Sequence, residues 1–146
     1  MTKEELIDLV NYDLKNELKH LHFYLQAGVM VAGLHRAELK EFLLEEAASE
    51  LEHCKQFAEL VVHLGGVPET VPNEFPTDLS CPMAILRYVV EMESEVAVLY
   101  ANRLKQTDAI NAPYAAYAHV FYEDQIADSQ KTAWEVEQMI KQHEHK

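Results

Sequence analysis

Apolar residues recur at intervals of three and four along most of this chain, the spacing of one face of an α-helix. Leu6, Leu9, Val10, Leu14, Leu18, Leu21, Tyr24, Leu25 and Val29 predict one long helix over about 3–32. Thr2 caps its start with Glu5 as reciprocal partner, and Gly33 marks its end. A second stripe, Leu39, Phe42, Leu43, Ala47, Cys54, Phe57, Leu60, Val61 and Leu64, predicts a helix over about 36–64, stopped by Gly65-Gly66. The following segment, VPETVPNEFPTDLS, holds Pro68, Pro72 and Pro76 and has no helical period. At about 15 residues it is long for a hairpin turn and suits a crossover along a bundle. Ser80 and Pro82 open a third helix that runs to about Lys105 through Ile85, Leu86, Val89, Met92, Val96, Tyr100 and Leu104. After a short polar turn, Pro113 opens a fourth, reaching about His143 with Tyr122, Ile126, Ala133, Val136 and Ile140 as its stripe. The pattern predicts an all-α four-helix bundle, one domain over 1–146, with one long crossover between helices two and three.

Acids interrupt three of these stripes: Glu17, Glu50 and Glu93. His53 follows Glu50 by three residues, so both project from one helix face. Such groups cost free energy in a core unless they are paired or bound to a cation. Carboxylates can bridge two ions, and imidazole suits iron, manganese or zinc. The plainer alternative puts some of these acids at helix margins, where water reaches them. On the fourth helix Glu123, His119, Gln130 and Glu137 flank the stripe on one side, Asp128 lies near its other margin, and Asp124 and Lys131 point away. His20 and His22 fall on different sides of the first stripe. Tyr24, one turn beyond His20 and two beyond Glu17 on the same inward side, can hydrogen-bond a ligand or supply an electron, or be an ordinary buried tyrosine; the same holds for Tyr100. Trp134 is expected in the core or at an interface, Cys54 is given no ligand role, and the histidines of the polar tail KQHEHK amount at most to a weak surface binder.

Charge and cysteine content narrow the class of function. With 25 acidic and 12 basic residues, the formal charge of −13 offers no footprint for a phosphate backbone, so nucleic acid is not an expected partner. No apolar run is long enough for a membrane span, and the start MTKEELIDLV is not a secretory leader, so no membrane partner is expected. Two cysteines without a CxxC spacing fit a reducing compartment, and the expected location is the cytoplasm.

From about Leu6 to Ile140 the chain resembles the ferritin-like superfamily, in its bacterioferritin and Dps-like branch. The matching segments are NELKHLHFYL with Glu17 and Tyr24, SELEHCKQFAELVVHLGGVP with Glu50 and His53, and ESEVAVLYANRL with Glu93, Tyr100 and Arg103. The resemblance implies a ferritin-like bundle with a dinuclear iron centre. Glu17 and Glu93 would be its terminal carboxylates, Glu50 a bridging one and His53 a nitrogen ligand. It implies oxidation of ferrous iron by dioxygen or hydrogen peroxide, with ferric storage in a hollow homo-oligomer in many members. The fourth helix departs from the family, which carries a second Glu-x-x-His there. Aligned on Trp134, the places fall on Asp128 and Lys131; aligned on the stripe, on Glu123 and Ile126. Glu123 is the preferred metal ligand, with His119 as a substitute nitrogen. Leu51 stands where bacterioferritins bind haem through methionine, so no haem is expected. Without a fifth helix the expected assembly lies between a dimer and a 12-subunit shell.

The leading expectation is therefore a ferritin-like iron oxidase, with manganese or zinc as other metals and peroxide detoxification as a related activity. The alternative is a structural or binding bundle, impaired in catalysis, that keeps at most a partial metal site. The missing fourth-helix histidine favours it.

Overall fold

The computed structural model describes the backbone of residues 1–144 and the side chains of residues 1–141; the histidines of the tail lie outside the described side chains. The chain is an all-α four-helix bundle: α1 Lys3–Met30, α2 Arg36–Leu64, α3 Pro82–Asp108 and α4 Pro113–Glu144, with one long crossover between α2 and α3. It resolves into two compact units, Thr2–Ile85 and a second beginning at Leu86.

In the first unit α1 starts as expected, with the Thr2 side chain accepting from the Glu5 N–H at 3.1 Å. It ends two residues early. Val31 turns extended, and its N–H still closes on the Ala27 carbonyl. No basic residue sits in the last turn of α1; the Arg36 guanidinium, from the start of α2, donates instead to the carbonyls of Val29 and Val31 at 2.8 and 2.6 Å. Gly65 closes α2 at φ +99, where its N–H and that of Gly66 return to the carbonyls of the last turn. Gly66 also allows a close approach: a Cβ there would lie 2.5 Å from Ile7 Cγ2.

The crossover follows α1 from end to end. The Asn11 side chain donates to the Val67 carbonyl and accepts from the Glu69 N–H, both at 3.0 Å. Asn73 donates to the Lys15 carbonyl and to Asn16 Oδ1, Phe75 stacks on His22, and Gln26 donates to the Thr77 carbonyl. At the far end the Ala32 N–H donates to the Ser80 carbonyl. Residue numbers rise together in the two segments, so the crossover runs parallel to α1 and carries the chain to the end where α3 begins. Its three prolines lack N–H groups, which suits an extended segment that bonds to the helix surface through the Glu69 and Asn73 amides and the Val67 and Thr77 carbonyls.

Leu6, Val10, Leu14, Phe23, Tyr24 and Ala27 of α1 and Leu43, Ala47, Phe57, Leu60, Val61 and Leu64 of α2 are buried in this unit. Gly28 brings the helices close, since a Cβ there would meet Leu44 Cδ2 at 2.9 Å.

In the second unit, α3 buries Val89, Met92, Glu93, Val96 and Tyr100 in one line. Tyr100 meets Tyr122 of α4 edge to face, with ring centroids 5.2 Å apart. On α4 the buried line differs from the predicted stripe. It runs Ala115, Ala118, Tyr122, Gln125, Ser129, Ala133 and Val136, while Ile126 and Ile140 lie half-buried at its margin. Trp134, expected in the core or at an interface, is 61% exposed.

Candidate metal centre

Four ionisable side chains meet between α1 and α2. Glu17 and His20 are three residues apart on α1, as are Glu50 and His53 on α2. On each helix that spacing puts both side chains on one face. All four are drawn into the interior: His20 is wholly buried, Glu17 and Glu50 nearly so, and the His53 side chain is 12% exposed.

The contacts run both along and across the helices. His53 Nδ1 lies 3.3 Å from Glu50 Oε2 on its own helix and 3.8 Å from Glu17 Oε2 on the other. His20 Nδ1 lies 3.8 Å from Glu50 Oε1. One donor atom each from Glu17, Glu50 and His53 lies within 4.8 Å of the others, a span that one metal ion can close.

The electrostatics are those of a crowded anionic pocket. Burial, and then the neighbouring charge of Glu50, pushes the Glu17 carboxyl from its usual range up to about 7. Burial by itself would lower the His53 imidazole. Hydrogen bonds to Glu17 and Glu50, and the charge of both, outweigh it and push His53 up to about 11. Protons therefore occupy the place of a cation in this set. Two carboxylates and two imidazoles form a mixed oxygen and nitrogen donor set of the kind that suits iron, manganese or zinc, so these residues fit such an ion.

Cys54, next to His53, is set apart from this chemistry. Burial, then the charges of Glu17 and Glu50, pushes its thiol up to about 12, whereas Cys81 is exposed. A thiol so rarely ionised is a poor nucleophile. Treatment of the native protein with iodoacetamide at pH 7.5 is expected to alkylate Cys81 and spare Cys54, read by peptide mass spectrometry. Equal labelling would show that the pocket opens to solvent.

Glu93 is buried on α3 and Tyr24 on α1. Among the described side chains of α4 no acid is buried. The Glu123 side chain, expected to reach the centre, is 56% exposed and lies 3.5 Å from His119 Nε2. His119 in turn approaches Asp108 at 3.0 Å and Thr107 at 3.4 Å, which ties it to the end of α3. Asp128 and Lys131 are exposed. Gln125 and Ser129 hold the buried polar places on this helix, and neither is an acid or an imidazole. Glu123 and Asp128 therefore stand outside every group able to hold an ion among the described residues.

His20 is the residue that reasoning from interrupted stripes places inward yet gives no ligand role. The sequence does carry a signal for it: Glu17-Leu18-Lys19-His20 is a Glu-x-x-His, the same pattern as Glu50 to His53.

The model of the ferritin-like domain matches residues 7–145. No curated protein matches the chain. Among solved structures, a ferritin-like diiron-carboxylate protein from Bacillus anthracis is 29% identical, with a TM-score of 0.87 over 95% of this chain and 99% of that one. A DPS protein from Vibrio cholerae shares the fold at 14% identity and a TM-score of 0.87, covering 94% of this chain and 90% of that one. The dodecameric thioferritin of Bacteroides fragilis, a bacterioferritin-related protein, shares it at 20% identity and a TM-score of 0.67, covering 97% and 92%.

Proposed function

The chain belongs to the ferritin-like domain family, and from that membership we propose that it is a metal-binding bundle whose working site is built on α1 and α2, without the fourth-helix ligands of a full diiron oxidase. The convergence of Glu17, Glu50 and His53 in a buried pocket carries this reading. The metal is iron by family, with manganese and zinc admitted by the same donors. Glu93, the buried acid of α3, is proposed as a further carboxylate ligand on the family pattern.

When bound, ferrous iron supplies electrons that dioxygen or hydrogen peroxide can accept. The residues present supply the rest. Glu17 and His53 give up protons as the ion enters, Leu14 and Phe57, buried one turn from Glu17 and His53 on their own helices, help to keep the pocket dry, and Tyr24, buried on α1, is available as a hydrogen-bond donor. With no buried acid or imidazole among the described side chains of α4, retention of metal is favoured over rapid turnover.

A second reading, a working ferroxidase with storage or peroxide removal, is favoured by one observation: the 29% identical Bacillus anthracis protein is a diiron-carboxylate protein. An anaerobic ferrous titration of the metal-free chain, followed by an oxygen pulse, separates the two. Tight binding with slow oxidation is expected. Rapid oxidation of two irons per chain would make the ferroxidase reading the right one, and no binding would remove both.

A homo-oligomer is proposed as the working form. The dodecameric state of the Bacteroides fragilis protein and the exposed Trp134 support it. The two free thiols support a cytoplasmic setting, and among the described residues no helix is long and apolar enough to cross a membrane.

A further inference from the structure

We propose that His20 is the second nitrogen ligand of this site, supplying from α1 the imidazole of the Glu-x-x-His that is missing from α4, so that the α1–α2 hairpin holds a second divalent transition-metal ion beside the first. The inference rests on the metal-binding reading above and goes beyond it in assigning the second ion and its imidazole.

The geometry is reciprocal. Each helix carries one Glu and one His three residues apart, and each His faces the Glu of the other helix at 3.8 Å. Glu50 divides its two oxygens between the imidazoles: Oε1 faces His20 at 3.8 Å and Oε2 faces His53 at 3.3 Å. One carboxylate with an imidazole at each oxygen has the disposition of a bridge between two ions, each with its own nitrogen donor. His20 is wholly buried. A histidine serving only to fill space in such a core would be replaced at little cost by an apolar side chain, whereas here it is aimed at an acid that is already in contact with a second imidazole. Two nitrogens on adjacent antiparallel helices also remove the need for a ligand on α4, where Gln125 and Ser129 hold the buried polar places.

Cobalt(II) titration of the intact chain tests this, with binding followed by calorimetry and by the visible bands of the ion. The wild type is expected to bind two cobalt ions, His20→Gln one, and His53→Gln one at most. In the fully loaded wild type, proton NMR should show hyperfine-shifted ring signals from two histidines, a readout that needs no variant to fold. His20→Gln binding as much cobalt as the wild type, or shifted signals from a single histidine, would overturn the role of His20 and leave the metal site standing. A wild type that binds no cobalt would overturn the metal-site reading and this inference together.

Discussion

Glu50→Gln is expected to weaken metal binding by about a hundredfold or more while leaving the metal-free protein folded and melting within about 4 °C of the wild type. Glu50 lies within 3.8 Å of both imidazoles, and its charge is the second cause of the raised Glu17 carboxyl. Glutamine keeps the volume and one carbonyl oxygen, so the packing against α1 is preserved and no cavity opens. It removes the negative charge and one of the two oxygens able to bind an ion. In the metal-free protein the charge of Glu50 is not an unmixed benefit, since it repels Glu17 across a buried gap while it attracts His53. These effects oppose one another, which is why metal affinity should collapse and the melting temperature should barely move. Calorimetric titration and thermal denaturation of the same preparation check both parts. Affinity unchanged from the wild type would exclude Glu50 as a ligand, and a large loss of stability would mean that Glu50 serves the fold.

Much of this architecture is legible in the sequence because its helix signals are local. Thr2 with Glu5, Gly65 with its positive φ, and Pro82 and Pro113 each act within a turn of where they stand. The crossover is legible too, since three prolines in extended chain exclude a helix. Its course along α1 is not, because Asn11, Asn16 and Gln26 receive it through side-chain amides that have no periodic signature.

The fourth helix shows where apolar periodicity misleads. Ile126 and Ile140 draw the stripe to one side, yet the buried line passes through Gln125 and Ser129. When polar residues take inward places, a face chosen by apolar residues is turned by part of a helical step. That turn is enough to make Glu123 look inward when its side chain meets solvent and His119. His20 is missed as a ligand for the converse reason: a stripe is sought in apolar residues, and a histidine inside it registers as one only when paired with the acid three positions before. The same spacing that singles out Glu50 and His53 singles out Glu17 and His20.

The protons in the pocket lead to the last expected result: uptake of the ion held by Glu17, Glu50 and His53 should release about two protons near pH 6 and about one near pH 8.5, and its affinity should rise with pH throughout. An ion needs the Glu17 carboxylate and a neutral His53, and the metal-free protein holds Glu17 protonated up to about 7 and His53 up to about 11. Below both values each group gives up a proton as the ion enters; between them only His53 does. The sign for the metal-free fold is the same for both groups. Each pKa is raised above its unfolded value, so each contribution is full below that value and is lost as pH rises, from 4.5 to about 7 for Glu17 and from 6.5 to about 11 for His53. The metal-free protein should therefore lose stability toward alkaline pH, while the rise in melting temperature on adding metal should be greater at pH 8.5 than at pH 6. Titration in weakly buffered solution counts the protons, and paired melts with and without zinc give the thermal part. A proton count that stays constant from pH 6 to 8.5 would place the metal away from Glu17. A metal-induced shift that shrinks as pH rises would mean that His53 is not a ligand.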